Sequence, residues 1–387
     1  METIKLYPAF EKAFFIGREN RFVMRLQKTD GQVINAYIAN PGRMEEFRVQ
    51  GHPFFLTPGN DGKYFYRVVS TDYQDSYVLL DTIKTNYLVE VMLKRNLIDI
   101  FRDAASIRRE VTVKRSRFDF LVEQEGKKPA LLEVKSCSLC HRGVAMFPDA
   151  PTNRGRRHLE DLEILARDGY YRCYTLYLIN HKHARVFMPN RHTDMAYAEQ
   201  FNRSENIRFL AYSIEMTDPV TLKLPAAGLK EIPIDFKTSR LNTLDKGSYL
   251  LVLFNANPFK KKIGALGERE FKKGYYVYVG SAMRGLEKRI NRHLRKNKKT
   301  RWHLDYISPT CMKVEKIYPV RRPDRIEEAM ARGLRGICRE LVPGFGASDS
   351  GEPSHLFYFD TPPTGQRPFI DLLLDFRAAA GMDIRTP

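Results

Sequence analysis

Residues 117–135 read RFDFLVEQEGKKPALLEVK, which is two apolar runs separated by a polar turn. The first run carries Asp119, and the second carries Glu133 and Lys135. Side chains alternate between the two faces of a strand, so Glu133 and Lys135 should share one face. A hairpin would bring Asp119 close to them, and buried charges without partners are costly. The stretch therefore predicts two paired strands that gather two carboxylates and a lysine.

Asp119 and Glu133 are spaced as metal ligands from adjacent strands, and hard oxygen ligands favour Mg²⁺ or Mn²⁺. Such an ion would lower the pKa of a bound water and hold a scissile phosphate. Lys135 would orient the water or offset charge on the phosphate. The spacing alone leaves an alternative open, namely a surface Glu–Lys pair beside an unrelated aspartate.

The net charge points to a polyanionic partner. The 387 residues are enough for two or three domains, with a formal charge of +18 and a pI near 9.6. Residues 1–240 hold 37 Lys and Arg against 30 Asp and Glu, whereas residues 241–387 hold 27 against 16. Cationic side chains bind nucleic acid by releasing counterions from phosphates. A basic surface without a polyanionic ligand is the alternative.

Several classes of protein are disfavoured by the sequence. The N-terminus lacks the pattern of a signal peptide, and no apolar window is long enough to span a membrane. Five cysteines without a disulfide pattern fit a reducing cytoplasm. Cys137-Ser-Leu-Cys140-His141 matches the C-x-x-C-H of haem attachment, and a C-x-x-C pair can also bind zinc. With no export signal and no second ligand pair, we expect neither haem nor zinc here, and a redox protein is a weak third class.

The first part of the chain alternates short strands with helices. Residues 10–80 predict a small antiparallel barrel, because short strands are separated by Gly and Pro turns. Residues 82–103 predict a helix, and a second helix is expected from about 156 to 167. With a buried strand at residues 172–179, these elements predict an α/β domain.

The last part of the chain begins again with strands at residues 247–254 and 274–280. A basic helix follows, and Leu286, Ile290 and Leu294 predict its buried stripe. Nine Lys and Arg against one acid between residues 284 and 301 favour a phosphate-facing surface over an ordinary solvated face.

Four separated motifs resemble the sugar fermentation stimulation protein A family over residues 10–215. They are Asn40-Pro-Gly-Arg-Met44, Ser116-Arg-Phe-Asp-Phe120, Glu133-Val-Lys-Ser136 and the stretch FPDAPTNRGRRHL at residues 147–159. The resemblance implies an OB-fold barrel, then a domain of the PD-(D/E)xK nuclease fold, and DNA binding. Asp119, Glu133 and Lys135 fall on the nuclease signature. Asp149, Arg154 and His158 fall on the neighbouring family motif, and Glu110 is a supporting acidic residue.

A second resemblance covers residues 247–359. Gly247-Ser-Tyr249 and Tyr278-Val-Gly280 resemble the two strands of the GIY-YIG nuclease module. The resemblance implies that Tyr249 and Tyr278 help to deprotonate the nucleophile, that Arg289 stabilises phosphate charge and that Glu327 holds one divalent metal. The tyrosines by themselves could equally be core residues of their strands.

The second region also departs from the module. The interval between the two tyrosines is longer, and Ser348-Asp-Ser-Gly-Glu352 stands where a similar family usually has Ser-Asp-Cys-x-Cys. The asparagine that closes the usual motif is not evident. These departures favour DNA contact over catalysis for this region.

Together these observations predict a multidomain, cytoplasmic, Mg²⁺- or Mn²⁺-dependent DNA phosphodiesterase without membrane association. The predicted regions are an OB-fold-like barrel (1–80), an α/β PD-(D/E)xK nuclease-like domain (81–235), a linker (236–246), an α+β GIY-YIG-like domain (247–360) and a C-terminal helix or tail (361–387). Expected nucleic-acid contacts are Arg43, Arg117, Arg154, His158, Lys288, Arg292, His293 and Arg295. The alternative is a non-catalytic DNA-binding or regulatory protein that retains nuclease folds.

Overall fold

The structure is a computed structural model that describes residues 2–59, 63–226, 228–241, 245–308 and 310–378. The chain forms two compact units, Met1–Arg240 and Leu241–Pro387. The predicted barrel and the predicted α/β domain both lie within the first unit. The predicted linker at residues 236–246 begins as a short helix (Phe236–Leu241), and its residues 242–244 lie outside the described part.

The elements of the first unit are as follows. Its strands are β1 (Glu2–Lys5), β2 (Glu11–Asn20), β3 (Val23–Lys28), β4 (Val33–Ile38), β5 (Pro53–Pro58), β6 (Tyr66–Tyr73), β7 (Ser76–Leu79), β8 (Ala104–Val113), β9 (Ser116–Gln124), β10 (Ala130–Cys137), β11 (Cys140–His141), β12 (Val144–Phe147), β13 (Arg172–Ile179), β14 (Val186–Pro189), β15 (Ile207–Ser213), β16 (Glu215–Asp218), β17 (Thr221–Leu224) and β18 (Lys230–Glu231). Its helices are α1 (Ile83–Lys94), α2 (Asn153–Arg167), α3 (Met195–Arg203) and α4 (Phe236–Leu241), and a 3-10 turn spans Asp99–Phe101.

Five strands of the first unit close into an OB-like barrel. They pair in the order β2-β3-β4-β6-β5, and β5 pairs back with β2. The prediction of a wholly antiparallel barrel is wrong at one contact, because β4 and β6 run parallel. These two strands are separated in sequence by β5, so their pairing is a crossover of the kind found in five-stranded Greek-key barrels. Phe15, Met24, Leu26 and Phe54 fill the interior.

The barrel sheet continues beyond the closed strands. β7 pairs with β16, β16 with β17, and β17 with β1. The segment that contains β16 and β17 comes from the far end of the predicted α/β region. The two predicted regions therefore share one sheet and fold as one unit.

A second sheet in this unit has the order β18-β15-β13-β10-β9-β8. β10, β13 and β15 run parallel to one another, whereas the pairs β8–β9, β9–β10 and β15–β18 are antiparallel. Leu132 and Val134 of β10 pack in the cluster that contains α1, and Leu131 packs in the cluster that contains α2. The predicted hairpin and the predicted α/β arrangement with mixed pairing are confirmed.

The helix boundaries have local causes. α1 ends at Lys94, well before the predicted residue 103, and Asn96 follows it with a left-handed φ of 55°. α2 begins at Asn153, before the predicted start near 156. Thr152 caps it, because its hydroxyl accepts a hydrogen bond of 3.0 Å from the Gly155 N–H.

The second unit is built on one antiparallel sheet in the order β23-β19-β22-β25-β24. Its strands are β19 (Gly247–Asn255), β20 (Phe259–Lys262), β21 (Glu268–Phe271), β22 (Gly274–Ala282), β23 (Lys313–Arg321), β24 (Glu340–Leu341) and β25 (Leu356–Phe359). Its helices are α5 (Leu286–Leu294), α6 (Glu327–Arg335) and α7 (Arg367–Ala378), with 3-10 turns at Gly264–Leu266, His303–Tyr306 and Pro363–Gly365. The lysine-rich excursion between β19 and β22 forms the separate hairpin β20–β21.

The buried stripe of α5 differs from the prediction. Leu286 and Ile290 are buried, but Leu294 is 44% exposed and His293 is only 1% exposed. With 3.6 residues per turn, the position after Ile290 that returns to the core is three residues on, not four. The third buried position of this helix is therefore His293.

Within the described residues, no helix combines the length and apolar character needed to cross a membrane.

Candidate functional site

The β9–β10 hairpin brings Asp119 beside the strand that carries Glu133 and Lys135. Phe120 pairs with Leu132 across the hairpin. Asp119 Oδ2 accepts a hydrogen bond of 2.7 Å from the Val134 N–H, which lies between the other two residues. The three residues that were selected from spacing alone are therefore gathered at one place.

Glu133 is a buried carboxylate in which one oxygen accepts two hydrogen bonds and the other accepts none from the described residues. Oε1 accepts hydrogen bonds from Lys135 Nζ at 2.6 Å and from His158 Nδ1. Oε2 is buried, and it has no hydrogen-bond partner among the described residues. Burial raises the pKa of Glu133, but Lys135 and His158 outweigh it and hold the pKa below its ordinary value. Glu133 is therefore an anion at neutral pH with one oxygen left over.

Asn86 on α1 is a site residue that the sequence analysis missed. Its amide donates a hydrogen bond of 2.7 Å to Asp119 Oδ1. The available signal was an asparagine, a poor helix former, inside a helix rich in aliphatic residues. Burial and the nearby charge of Glu133 raise the pKa of Asp119.

His158 was predicted to contact nucleic acid, and the structure gives it a different place. The side chain is buried, donates from Nδ1 to Glu133 and receives a long hydrogen bond of 3.5 Å from Arg154 Nε at Nε2. Because α2 begins at residue 153, its second turn already faces the sheet. The structure therefore places His158 behind Glu133, and its contact with nucleic acid stays a prediction, whereas Arg154 is exposed.

Asp149 lies against the barrel loop Asn40–Met44. Its Oδ2 accepts from the Met44 N–H at 3.2 Å, and a Cβ at Gly42 would stand 2.2 Å from the same oxygen. Arg18 holds the loop from the other side by donating to the carbonyls of Gly42 and Asn40. Arg43 points outward from this pinned loop and is exposed.

Two further predicted residues lie on the neighbouring strands. Arg117 is exposed and forms an ion pair of 3.6 Å with Glu110. Glu110 is also exposed, and the register of β8 and β9 places it opposite Asp119, between the pairs Arg109–Phe120 and Val111–Phe118. Both are thus near the hairpin, but the partner of Glu110 in the structure is an arginine.

Asp119 and Glu133 fit a hard divalent cation. The carboxylate oxygen Glu133 Oε2 is buried and unsatisfied, as expected of a ligand atom. Among the described residues, no three His, Cys, Asp or Glu side chains are grouped for metal binding. An ion here would take its other ligands from backbone carbonyls, water or substrate, as Mg²⁺ commonly does.

The C-x-x-C-H segment is packed into the first unit. Cys137, Cys140 and His141 are buried, and His141 Nδ1 is 2.7 Å from the Tyr73 hydroxyl. Burial raises the pKa of Cys140 to about 12 and that of Cys137 well above its ordinary value. Metals bind the thiolate, so these protonated thiols are poor ligands.

The second unit has a polar cleft of about 280 Å³, lined by Tyr249, Tyr278, Arg289 and Glu327 among others. The Tyr249 hydroxyl lies 2.8 Å from His293 Nε2, and a Cβ at Gly280 would stand 2.4 Å from that hydroxyl. Burial raises the pKa of both tyrosines. The four residues that the resemblance selected therefore line one cleft.

Glu327 begins α6 and is held from two sides. The Ser281 hydroxyl donates to Oε2, and His355 Nδ1 lies 3.3 Å from Oε1. Burial opposes ionisation, but these two contacts hold the pKa of Glu327 below its ordinary value. Arg289 lies across the cleft with its guanidinium 4.2 Å from the centre of the Trp302 ring.

The basic helix α5 presents fewer free cations than the sequence predicted. His293 is buried and burial lowers its pKa to about 3, so this residue is not one of the exposed cations of the helix, and its predicted contact with nucleic acid stays a prediction. Arg292 donates to both Asp305 oxygens, at 3.0 and 2.9 Å, and lies 4.2 Å from the Trp302 ring. It therefore braces the cleft wall. Lys288 and Arg295 are exposed.

Models of three known protein families match three consecutive parts of the chain. The model of the SfsA N-terminal OB domain matches residues 16–80, and the model of the sugar fermentation stimulation protein RE domain matches residues 83–219. Residues 248–377 match DUF123, a domain of unknown function.

Similar proteins cover the first unit. The sugar fermentation stimulation protein homolog of Moorella thermoacetica is 34% identical over 220 residues, which are 56% of this chain and 94% of the homolog. That of Methanothermobacter thermautotrophicus is 34% identical over 192 residues, 49% of this chain and 79% of the homolog. The solved structure of Pyrococcus furiosus SfsA in complex with Ca²⁺ matches with a TM-score of 0.54 and 26% identity, over 60% of this chain and 99% of that one.

Proposed function

We infer that this chain, which belongs to the sugar fermentation stimulation protein family, binds DNA. We propose that it also hydrolyses the phosphodiester bonds of DNA, with a divalent metal held by Asp119 and Glu133. The observation that carries the proposal is Glu133 Oε2, a buried carboxylate oxygen without a hydrogen-bond partner among the described residues. An unpaired buried charge is costly, and Mg²⁺ or Mn²⁺ would offset that cost. The relative from Pyrococcus furiosus was solved with Ca²⁺, which prefers the same kind of oxygen ligand.

The metal, when bound, would lower the pKa of a water and polarise the phosphate. The remaining work belongs to the side chains around it. Asn86 and the Val134 N–H orient Asp119, while His158 and Lys135 orient Glu133. The ammonium of Lys135 stands beside the developing negative charge and stabilises it.

We assign the mixed sheet of the first unit to the PD-(D/E)xK class and the second unit to the GIY-YIG class. Support for the first comes from the Asp119, Glu133 and Lys135 cluster, and support for the second from the cleft shared by Tyr249, Tyr278, Arg289 and Glu327. In the second cleft Glu327 would hold one metal ion, and Arg289 would stabilise charge on the phosphate.

DNA is the proposed polyanion because exposed cationic side chains lie on the elements that carry or contact the two sites. Arg117 is exposed on β9, the strand of Asp119, Arg154 is exposed beside His158, and Arg43 is exposed on the loop Asn40–Met44. Lys288 and Arg295 are exposed on α5. Phosphate contacts of this kind make affinity fall steeply with salt. They position a backbone but do not read a base sequence.

A DNA-binding protein without catalysis is the second candidate. It is favoured because, among the described residues, no three His, Cys, Asp or Glu side chains are arranged to hold a metal ion. Both candidates predict salt-dependent DNA affinity, but only the first predicts a cut.

The test is to incubate plasmid, branched DNA and single-stranded DNA with Mg²⁺, Mn²⁺ or EDTA. We expect the wild type to cut in Mg²⁺ or Mn²⁺ but not in EDTA, and Glu133→Ala to abolish the cut made by the first unit. Glu231→Ala, at an exposed glutamate of the same unit, is the matched control. Glu327→Ala reports on the second cleft. If no metal-dependent cut is sensitive to either substitution, the enzymatic proposal is wrong and the non-catalytic one stands.

A further inference from the structure

Helix α1 carries two exposed apolar side chains on one stripe. Ile83 is 61% exposed and Tyr87 is 42% exposed, and they lie four residues apart. The other face of the helix is well buried through Leu88, Val89 and Met92. The outer stripe of a helix packed in this way is normally polar, so the exposed apolar pair is a candidate contact surface for a ligand.

This stripe borders the carboxylate site. Asn86, adjacent to Tyr87 in the chain, donates its hydrogen bond to Asp119. At the start of the helix, the Thr82 hydroxyl donates to the Ala39 carbonyl, immediately before the loop that carries Arg43. The exposed pair therefore lies on the helix that connects the pinned loop to Asp119.

A lysine lies beside the pair. Lys84 Nζ lies 5.9 Å from the centre of the Tyr87 ring and 5.0 Å from that of Tyr7. Arg43 is exposed on the loop and Arg154 on α2. An aromatic ring with a cation beside it suits a nucleobase that carries a phosphate, since the ring stacks on the base and the cation pairs with the backbone.

We propose that Ile83 and Tyr87 form a surface on which one unpaired base stacks. The first site would accordingly bind single-stranded or frayed nucleic acid as its substrate. The inference rests on the proposed function, because it names the substrate class of that same site. Inside a duplex both faces of a base are covered by its neighbours. Only an unpaired or terminal base can place a face on the Tyr87 ring while its phosphate reaches the carboxylate site.

The test measures binding in EDTA, so that cleavage plays no part. Anisotropy of a labelled single strand and of its blunt duplex is compared for the wild type, Tyr87→Ala and Tyr87→Phe. Tyr170→Ala is the control. Tyr170 is also an exposed tyrosine of this unit, but it follows the C-terminal end of α2, whereas His158 lies in the first half of that helix.

We expect Tyr87→Ala to weaken single-strand binding about tenfold, the order of one lost stacking contact, and to leave the duplex unchanged. Tyr87→Phe should bind as the wild type does, because the ring is what stacks, and Tyr170→Ala should do the same. A strand containing 2-aminopurine adds a direct signal. Its fluorescence should be quenched by the wild type and by Tyr87→Phe, but not by Tyr87→Ala.

Three results would overturn the inference. Tyr87→Ala could bind the strand as tightly as the wild type, or lose the strand and the duplex equally. Alternatively, the wild type could self-associate through Tyr87 with unchanged strand affinity, which would make a second copy the occupant. A wild type that binds nucleic acid but never cuts it would instead overturn the proposed chemistry alone, because the stacking result does not depend on cleavage.

Discussion

Asp119 and Glu133 are neighbouring carboxylates whose pKa values move in opposite directions. Glu133 has Lys135 and His158 on one oxygen, and the lysine ammonium and the histidine hydrogen bond favour its charged form. Asp119 has only neutral donors, from Asn86 and Val134, and it faces the negative charge of Glu133. Without a metal, Asp119 is therefore a charge that the fold accommodates at a cost.

We predict that replacing each carboxylate by its uncharged amide, in EDTA, changes the stability of the protein in opposite directions. Asp119→Asn should raise the Tm at pH 7 by about 2–4 °C, the shift that roughly 1 kcal/mol produces in a unit of this size, because it removes a charge whose folded pKa is raised. Glu133→Gln should lower the Tm at pH 7, because the folded pKa of Glu133 is depressed.

The effect of each substitution on stability should depend on pH in the way that the direction of the pKa shift requires. The gain from Asp119→Asn should disappear as the pH falls below the ordinary aspartate value of 3.8, where the carboxyl is neutral in both states. The loss from Glu133→Gln should shrink as the pH falls below 4.5. Thermal melts across pH 3 to 8 measure both. A loss of stability at pH 7 in Asp119→Asn would contradict the assignment.

His158 is predicted to support metal binding without contacting the metal. His158→Ala should weaken Mn²⁺ binding about 10- to 100-fold, as loss of a residue that orients a ligand typically does. His158→Asn should recover much of the affinity, because its amide can donate from near the position of Nδ1. Calorimetric titration measures the affinity. His183→Ala, at a half-exposed histidine of the same unit, is the control, and equal affinities in all four proteins would contradict the role.

At the level of single residues, sequence periodicity predicted the placement of Glu133 and Lys135 because it depends only on strand geometry. It could not predict that His158 and His293 are buried. Each depends on where a helix starts or on which of two adjacent positions returns to the core. Asn86 was missed because its contact with Asp119 is made across the fold, at a separation of 33 residues.

The loop Asn40–Met44 is the element that connects the barrel to the site. Arg18 donates to its carbonyls on one side, and Asp149 accepts from its backbone on the other. Arg43 is thereby presented to solvent from a fixed backbone. The motif was identified in the sequence, but its partner Asp149 lies 107 residues beyond Gly42, so the contact itself was not predictable.

Gly42→Ala should displace this loop. A Cβ at Gly42 would stand 2.2 and 2.5 Å from the two Asp149 oxygens, closer than any van der Waals contact. We expect a loss of about 1–3 kcal/mol of unfolding free energy, typical of overpacking, and weaker DNA binding. Gly17→Ala is the matched control, since no atom lies within 4 Å of its added Cβ. Urea unfolding and DNA anisotropy that fail to separate the two variants would contradict the role of the loop.

Strand positions were predictable because alternation is local, but the partners of these strands were not. The parallel pairing of β4 with β6 and the addition of β16 and β17 to the barrel sheet join segments far apart in the chain. The predicted order of regions was useful, yet the first two regions proved to be one unit.

The whole molecule consists of two units with separate cores. Among the described residues, the clusters around Leu132, Leu131 and Phe54 lie within residues 1–240, and the cluster around Tyr249 lies within residues 241–387. We therefore expect fragments 1–240 and 241–387 each to unfold cooperatively in calorimetry when expressed alone. Failure of either purified fragment to show a cooperative transition would contradict the division.

The central claim is that Asp119 and Glu133 bind a divalent cation, and anomalous diffraction from Mn²⁺-soaked crystals tests it most directly. We predict an anomalous peak at bonding distance from Glu133 Oε2 and an Asp119 oxygen in the wild type, and no peak there in Glu133→Ala. A wild-type site without anomalous density under saturating Mn²⁺ would contradict the account.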